Sequence, residues 1–335
     1  MPQKIEKRRL AILEVLRYNA KPLSSSKITE ELLALGHEIS GRTVRLYLQK
    51  MDREGLTEDV GKRKRAITEL GLGELESSQT FERIGFLSAK IDRMTYGMSF
   101  DLTNKSGTVV VNITFVEPKE LAKRVDMISE VYENGYAMGH LLALLEPGER
   151  SFNTTVPEGM VGVCTVCSIT LNGVLLKYGI PTNSRFGGLL DIYDKTPTRF
   201  AEIITYDGTS IDPLEVFIRS GMTDYIGAIR NGRGRIGVSF REFPADSRDL
   251  VEDISRKLKV IGLGGFMTIG RAGRPLLDIP VSEGRVGAII IGGLNPMSIL
   301  EETGLRAHSR AMSGLLEFNK LFRYEELESR VRAFL

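Results

Sequence analysis

The chain has 335 residues, 42% of them hydrophobic, enough to bury a sizeable core divided over about two domains. No apolar run approaches the ~18 residues of a membrane span, and the opening MPQKIEKRR lacks the apolar stretch of a secretory signal, so a cytoplasmic protein with no membrane partner is expected. The net charge of +2 divides unevenly: residues 1–70 hold 15 Lys and Arg against 10 Asp and Glu, and the rest hold 30 against 33.

In the basic head, KIEKRRLAILEVLRYN at 4–19 spaces Ile5, Leu10, Leu13 and Leu16 for a helix that Ala20-Lys21-Pro22 breaks. LSSSKITEELLALG restarts it, with Ser24 or Ser25 as N-cap, Ile28, Leu32 and Leu35 on one face, and Gly36 as the stop. Ser40 caps a third helix, GRTVRLYLQKMDREG, whose buried stripe is Val44, Leu48, Met51 and the edge of Tyr47. Arg42, Thr43, Arg45, Gln49 and Lys50 then face outward. LTEDV, the turn GKRKR and AITEL predict a two-stranded wing with Lys62, Arg63, Lys64 and Arg65 at its tip. Together these make a winged helix-turn-helix for double-stranded DNA. Arg42 and Gln49 would reach base edges in the major groove while the wing cations neutralise phosphates. The glycines and serines of ELGLGELESSQT at 69–80 predict a hinge, giving a DNA-binding domain at 1–70, a linker at 71–82 and a body at 83–335.

The body is written twice. VPEGMVGV at 156–163 returns as VSEGRVGA at 281–288, an offset of 125 residues. At that offset Phe115 falls on Phe240, Glu117 on Glu242, Gly139 on Gly264, Gly148 on Gly273, and Ser184-Arg185 on Ser309-Arg310. Each copy, about 109–185 and 234–310, reads strand, helix, strand, glycine turn, strand, helix. The fold class is therefore α+β: a winged helix-turn-helix followed by a domain of two related α+β repeats facing one another about a pseudo-twofold axis.

Several stretches resemble chemical motifs. GRGRIG at 232–237 fits G-x-G-x-x-G but lies between the strand-like runs DYIGAI and IGVSF, which makes it a hairpin turn. Cys164 and Cys167 have C-x-x-C spacing, yet the second copy holds Ile289 and Gly292 there and no further soft ligands accompany them, so no metal is expected. The strand-to-helix junctions CSITLNG (167–173) and GGLNPMS (292–298) instead offer small and amide residues at helix starts, which suit carboxylate or phosphate. NSRFGG (183–188) and HSRAMS (308–313) add Arg185 and Arg310, each able to grip a carboxylate bidentately. No catalytic constellation accompanies them, so binding is favoured over catalysis and the chain is not expected to be an enzyme.

With the winged helix, VPEGMVGV...CSITLNGVLLKYGIPTNSRFGGLLDI and TYDGTSIDPLEVFIRSGMTDY, nearly the whole chain resembles the archaeal NrpR family, repressors of nitrogen-assimilation genes in euryarchaea. The resemblance implies a dimeric repressor that sits on inverted-repeat operators and is released by 2-oxoglutarate, with no cofactor. Some members carry two tandem bodies and this chain has room for one, which leaves open whether it senses alone or with a second NrpR-type subunit. The expected effector site is Cys167, Ser168, Thr170, Asn172, Ser184, Arg185 and, from the second copy, Asn295 and Arg310. Two rivals stay open: an enzyme on an oxo-acid, or an assembly module docking through an amphipathic helix in SGLLEFNKLFRYEELESRVRAFL.

Overall fold

The computed structural model describes residues 2–19, 21–34, 39–61, 63–73, 87–152 and 154–335, with the backbone alone at 2–7. It divides into two units, Met1–Gly85 and Phe86–Leu335.

The first unit runs α1 (Pro2–Tyr18), β1 (Leu23–Ser24), α2 (Ser25–Ala34), α3 (Gly41–Arg53), β2 (Thr57–Asp59) and β3 (Lys64–Ile67). Ile12, Leu16, Ile28, Leu32, Val44, Leu48 and Met51 close one core among the three helices. The Ser40 Oγ accepts the Thr43 backbone N–H at 3.2 Å, which fixes where α3 starts. The wing is three-stranded, in the order β1-β3-β2, because Leu23 and Ser24 pair with Arg65 and Lys64. Lys64 closes the tip, its N–H donating to the Gly61 carbonyl at 3.0 Å, while Arg65 lies within β3 opposite Asp59 and not at the tip. Residues 69–73, expected to open the hinge, are helical and start on Thr68, whose Oγ1 accepts the Gly71 N–H at 3.0 Å. Leu35, Gly36 and hinge residues 74–82 fall outside the described residues.

The second unit begins with α4 (Leu87–Gly97). Its first copy is β4 (Thr108–Val116), α5 (Pro118–Ala122), α6 (Val125–Glu133), β5 (Leu141–Leu145), the hairpin β6 (Arg150–Ser151) and β7 (Thr154–Thr155), β8 (Val161–Val166), α7 (Ile169–Lys177) and β9 (Asn183–Tyr193). β10 (Thr196–Thr205), α8 (Pro213–Arg219) and α9 (Tyr225–Arg230) link it to the second copy. That copy is β11 (Gly234–Pro244), α10 (Arg248–Val260), β12 (Phe266–Ile269), β13 (Arg285–Ile291), α11 (Ser298–Glu302) and β14 (His308–Glu317), followed by β15 (Phe322–Arg323) and α12 (Leu327–Arg332).

The strands form two five-stranded sheets, β14-β4-β8-β5-β15 and β10-β9-β11-β13-β12, with every neighbouring pair antiparallel. Each copy thus gives its last strand to the other copy's sheet: β9 pairs with β11, and β14 with β4. Ile113, Cys164 and Val166 of one sheet share a core with Ala288 and Ile290 of the other.

Register corrects the repeat alignment in its first strand. Ile113 lies opposite Cys164 and Phe240 opposite Ile289, so a 125-residue step from β8 to β13 goes with a 127-residue step from β4 to β11. Phe115 is therefore the counterpart of Glu242, not of Phe240. Two other expectations give way. DYIGAI is helix α9, so GRGRIG joins a helix to a strand and is no hairpin; that order is the reverse of a nucleotide loop. SGLLEFNKLFRYEELESRVRAFL is not one docking helix, for it holds the end of β14, then β15, then a short α12 whose Leu327 and Val331 are buried.

Candidate functional site

In the first unit, burial of Val44, Leu48 and Met51 turns Arg42, Arg45, Gln49 and Lys50 outward, all exposed. Thr43 is half-buried, its hydroxyl 2.9 Å from that of Ser40, so it serves the cap. Lys50 Nζ stands 3.9 Å from Glu54, a weak surface pair. Leu46, an apolar residue that the pattern of outward polar side chains does not mark, is 60% exposed among them and has the chemistry for a thymine methyl. On the wing, Arg63 and Lys64 are exposed, and Lys62 lies outside the described residues. Arg65 differs: its Nε donates to Asp52 at 2.8 Å, it pairs with Asp59 at 2.7 Å, and its side chain is 18% exposed. It braces the wing against α3 instead of offering a free charge.

In the second unit, the junction residues gather around a cation. Arg241 on β11 is 2% exposed and donates to the Ser168 carbonyl at 2.7 Å, to Ser168 Oγ at 2.8 Å and to Asn172 Oδ1. Asn172 Nδ2 in turn donates to Ser184 Oγ at 3.0 Å. Among the described residues no carboxylate pairs with Arg241, and burial lowers its pKa. The Thr170 hydroxyl bonds the Val110 backbone, donating to its carbonyl and accepting its N–H, each at 3.1 Å. Asn295 Nδ2 donates to the carbonyls of Tyr136 and Gly237 at 2.8 and 2.9 Å. Cys167 is buried and its thiol is pushed up to about 11, chiefly by that burial, while Cys164 rises to about 12 for the same reason. Both are neutral thiols at physiological pH.

The two junctions meet backbone-first. A side chain at Gly293 would stand 2.7 Å from Asn112 Nδ2 and 2.9 Å from Cys167 Cα. Between them remains a cavity of about 20 Å³, lined by Cys167, Ser168, Tyr206, Asp212 and Gly293 among others. One water needs ~10–15 Å³, so a di-acid does not fit there. Beside it Asp212 caps α8, accepting the Leu214 N–H at 2.9 Å. Burial, helped by Glu215, raises its carboxyl to about 6. A carboxyl with a raised folded pKa stabilises most when protonated, so this contribution is full below about pH 4 and lost as pH rises through about 6. Asp212→Asn keeps a capping oxygen, and its Tm should gain on the parent progressively between pH 4.5 and 7; a pH-independent difference would assign the titration elsewhere.

The paired arginines differ. Arg185 donates to Glu242 Oε1 at 2.7 Å and to the Pro280 carbonyl, with its guanidinium 5.6 Å from the Phe240 ring centre. Glu242 is fully buried, accepts the Ser282 N–H at 3.4 Å and faces Arg285 Nε at 3.6 Å. Arg185 is thus already engaged by the protein's own carboxylate. Arg310 is exposed, and it and Arg219 lie near enough to the half-buried Glu215 to pull its carboxyl down against the burial that raises it. Arg310 borders a cleft of about 790 Å³ lined also by Phe115, Thr154, Arg219, Arg306 and His308.

A family model for NrpR regulatory domains NRD1 and 2 matches residues 84–323, and one for the ribonuclease R winged-helix domain matches residues 10–75. The chain is 32% identical over 321 residues to the global nitrogen regulator NrpRI of Methanosarcina mazei, covering 96% of this chain and 99% of that protein. It is 31% identical over 324 residues to the global nitrogen regulator NrpR of Methanococcus maripaludis, covering 97% of this chain but 55% of that protein. The crystal structure of a nitrogen repressor-like protein from Methanococcus jannaschii matches 72% of this chain and 99% of its own, with a TM-score of 0.61 and 27% identity.

Proposed function

The chain belongs to the NrpR family of nitrogen regulators, and on that premise we propose that it is a repressor of nitrogen-assimilation genes that leaves its operator when 2-oxoglutarate binds the body. The observation that carries the reading is a capped α3 with Arg42, Arg45 and Gln49 exposed on one face, joined in one chain to an NrpR regulatory domain. Arginine pairs bidentately with guanine and glutamine with adenine, while backbone phosphates are met by the wing. The function is regulatory rather than catalytic. An inverted-repeat operator calls for a twofold partner, which we assign to a second copy of the chain; a second NrpR-type subunit is the other partner of that chemistry. Among the described residues no helix is long and apolar enough to cross a membrane, and the site of action is the cytoplasm, where the DNA is.

Release needs a ligand that binds the DNA-competent and DNA-free states unequally, because equal affinity shifts nothing. Electrophoretic retardation of the upstream regions of nitrogen-assimilation genes, at fixed salt with and without 2-oxoglutarate, tests the whole reading. Retardation relieved by the ligand is expected; no retardation, or none relieved, defeats it. For the wing, replacing Arg63 and Lys64 with alanine removes two exposed cations. The slope of log K against log salt should become shallower by about 2 for each copy of the chain on the operator, about 4 for the twofold pair. An unchanged slope takes the wing off the phosphates.

A further inference from the structure

Leu46 stands where the fold of its own unit gives a leucine nothing to pack against. Counting about 100° per residue along α3, the mean direction of the core-facing Val44, Leu48 and Met51 lies within about 15° of directly opposite Leu46. Leu46 and Arg53 therefore share the outermost line of the helix, with Arg42 and Gln49 to one side and Lys50 to the other, and all five are exposed. Alanine forms helix at least as well, so neither burial nor helix propensity calls for the isobutyl group.

Single exposed leucines are common on protein surfaces, and Leu33 is one at 54%. Leu46 is set apart by its surroundings: at 60% exposure it is the apolar centre of a face otherwise made of arginine, glutamine and lysine. Such a face complements the major groove in kind as well as charge. The donors and acceptors of the base edges suit arginine and glutamine, and the thymine C5 methyl is the apolar group displayed among them.

We propose that Leu46 is a specificity-determining residue that packs on a thymine methyl in the operator's major groove, between the base pairs that Arg42 and Gln49 reach. The proposal rests on the DNA-binding reading of α3 and adds an A·T pair recognised by apolar contact instead of a hydrogen bond. At about 1.5 Å of rise per residue, Leu46 lies about 6 Å beyond Arg42 and about 4.5 Å short of Gln49 along the axis. Bases along a strand are about 3.4 Å apart, so the thymine belongs within about two base pairs of either contact. The contact carries no charge. It adds affinity without adding to the salt dependence that phosphate contacts produce.

Deoxyuridine in place of thymine removes the methyl and keeps every hydrogen-bonding group of the base, which isolates the contact. The test titrates the full chain, wild type and Leu46→Ala, against a duplex spanning the footprint on a retarded upstream region, with each symmetry-related pair of thymines replaced in turn. Alanine at an exposed helical position keeps the fold, so thermal unfolding should stay near that of wild type. For wild type, one thymine position should lose about fourfold in affinity per half-site, the worth of one buried carbon. Leu46→Ala should bind the thymine duplex more weakly with an unchanged salt slope, and should bind the thymine and deoxyuridine duplexes alike. Wild type indifferent to deoxyuridine at every position overturns the proposal and leaves the repressor reading standing, as does a methyl effect of the same size in Leu46→Ala. Affinity lost in Leu46→Ala together with dissociation of the chain's dimer places Leu46 between two copies, which also overturns it. If no upstream region is retarded, the repressor reading itself falls and takes this proposal with it.

Discussion

Glu242→Ala is expected to destabilise the second unit by about 3 kcal/mol, the lower end of what breaking a buried ion pair costs. The glutamate is fully buried between Arg185 at 2.7 Å and Arg285 at 3.6 Å, so its removal strands two cations at once. Those arginines are 33% and 30% exposed and can turn partly to water, which is why the upper end of the range is not reached. For a unit of this size the loss corresponds to a Tm lower by roughly 6–12 °C. Glu242→Gln, which keeps the shape and one accepting oxygen, should lose less. A Glu242→Ala protein that unfolds within 1 °C of its parent would show that the pair holds nothing together.

Gly139→Ala should cost at least as much, by a different route. Gly139 has φ +74°, and a Cβ there would overlap the Gly262 carbonyl oxygen and stand 2.7 Å from Gly264 N. Its repeat counterpart Gly264 lies just across, so here too the two copies touch backbone to backbone. A left-handed alanine costs about 1–2 kcal/mol, and forcing atoms into a packed contact adds about 1–3 kcal/mol. Gly135→Ala separates the two contributions, since Gly135 has φ +73° and open space around it. Urea unfolding of both variants should show a clearly larger loss at Gly139. Equal losses would mean the close approach is not needed.

Much of this architecture was legible in the chain because local signals agreed. Ser40, the Val44-Leu48-Met51 stripe and Gly55 delimit α3 without reference to anything distant. The repeat announced itself through VPEGMVGV and VSEGRVGA, matching glycines and the two Ser-Arg pairs. What stayed hidden depended on pairing. A run of basic residues does not say that Arg65 turns back to Asp52 and Asp59 while Lys64 faces water. The two-residue β1 carries too little pattern to see. Matching phenylalanines drew Phe115 onto Phe240, and only hydrogen-bond register places it at Glu242. Arg241 was the least visible: arginine is among the residues least often fully buried, and nothing in GRIGVSFREF marks it as the centre around which Ser168 and Asn172 close.

The strand exchange has a consequence for how the halves can differ. A single copy on its own would leave the edge of its sheet open and its last strand unplaced, and two separate copies would satisfy each other as a swapped homodimer. In such a homodimer every position occurs twice with identical side chains, so an arginine must be either capped in both places or bare in both. Tying the halves into one polypeptide lifts that constraint. One side can devote its carboxylate to locking the scaffold while the other keeps its arginine available to the outside, a division of labour that strict symmetry forbids.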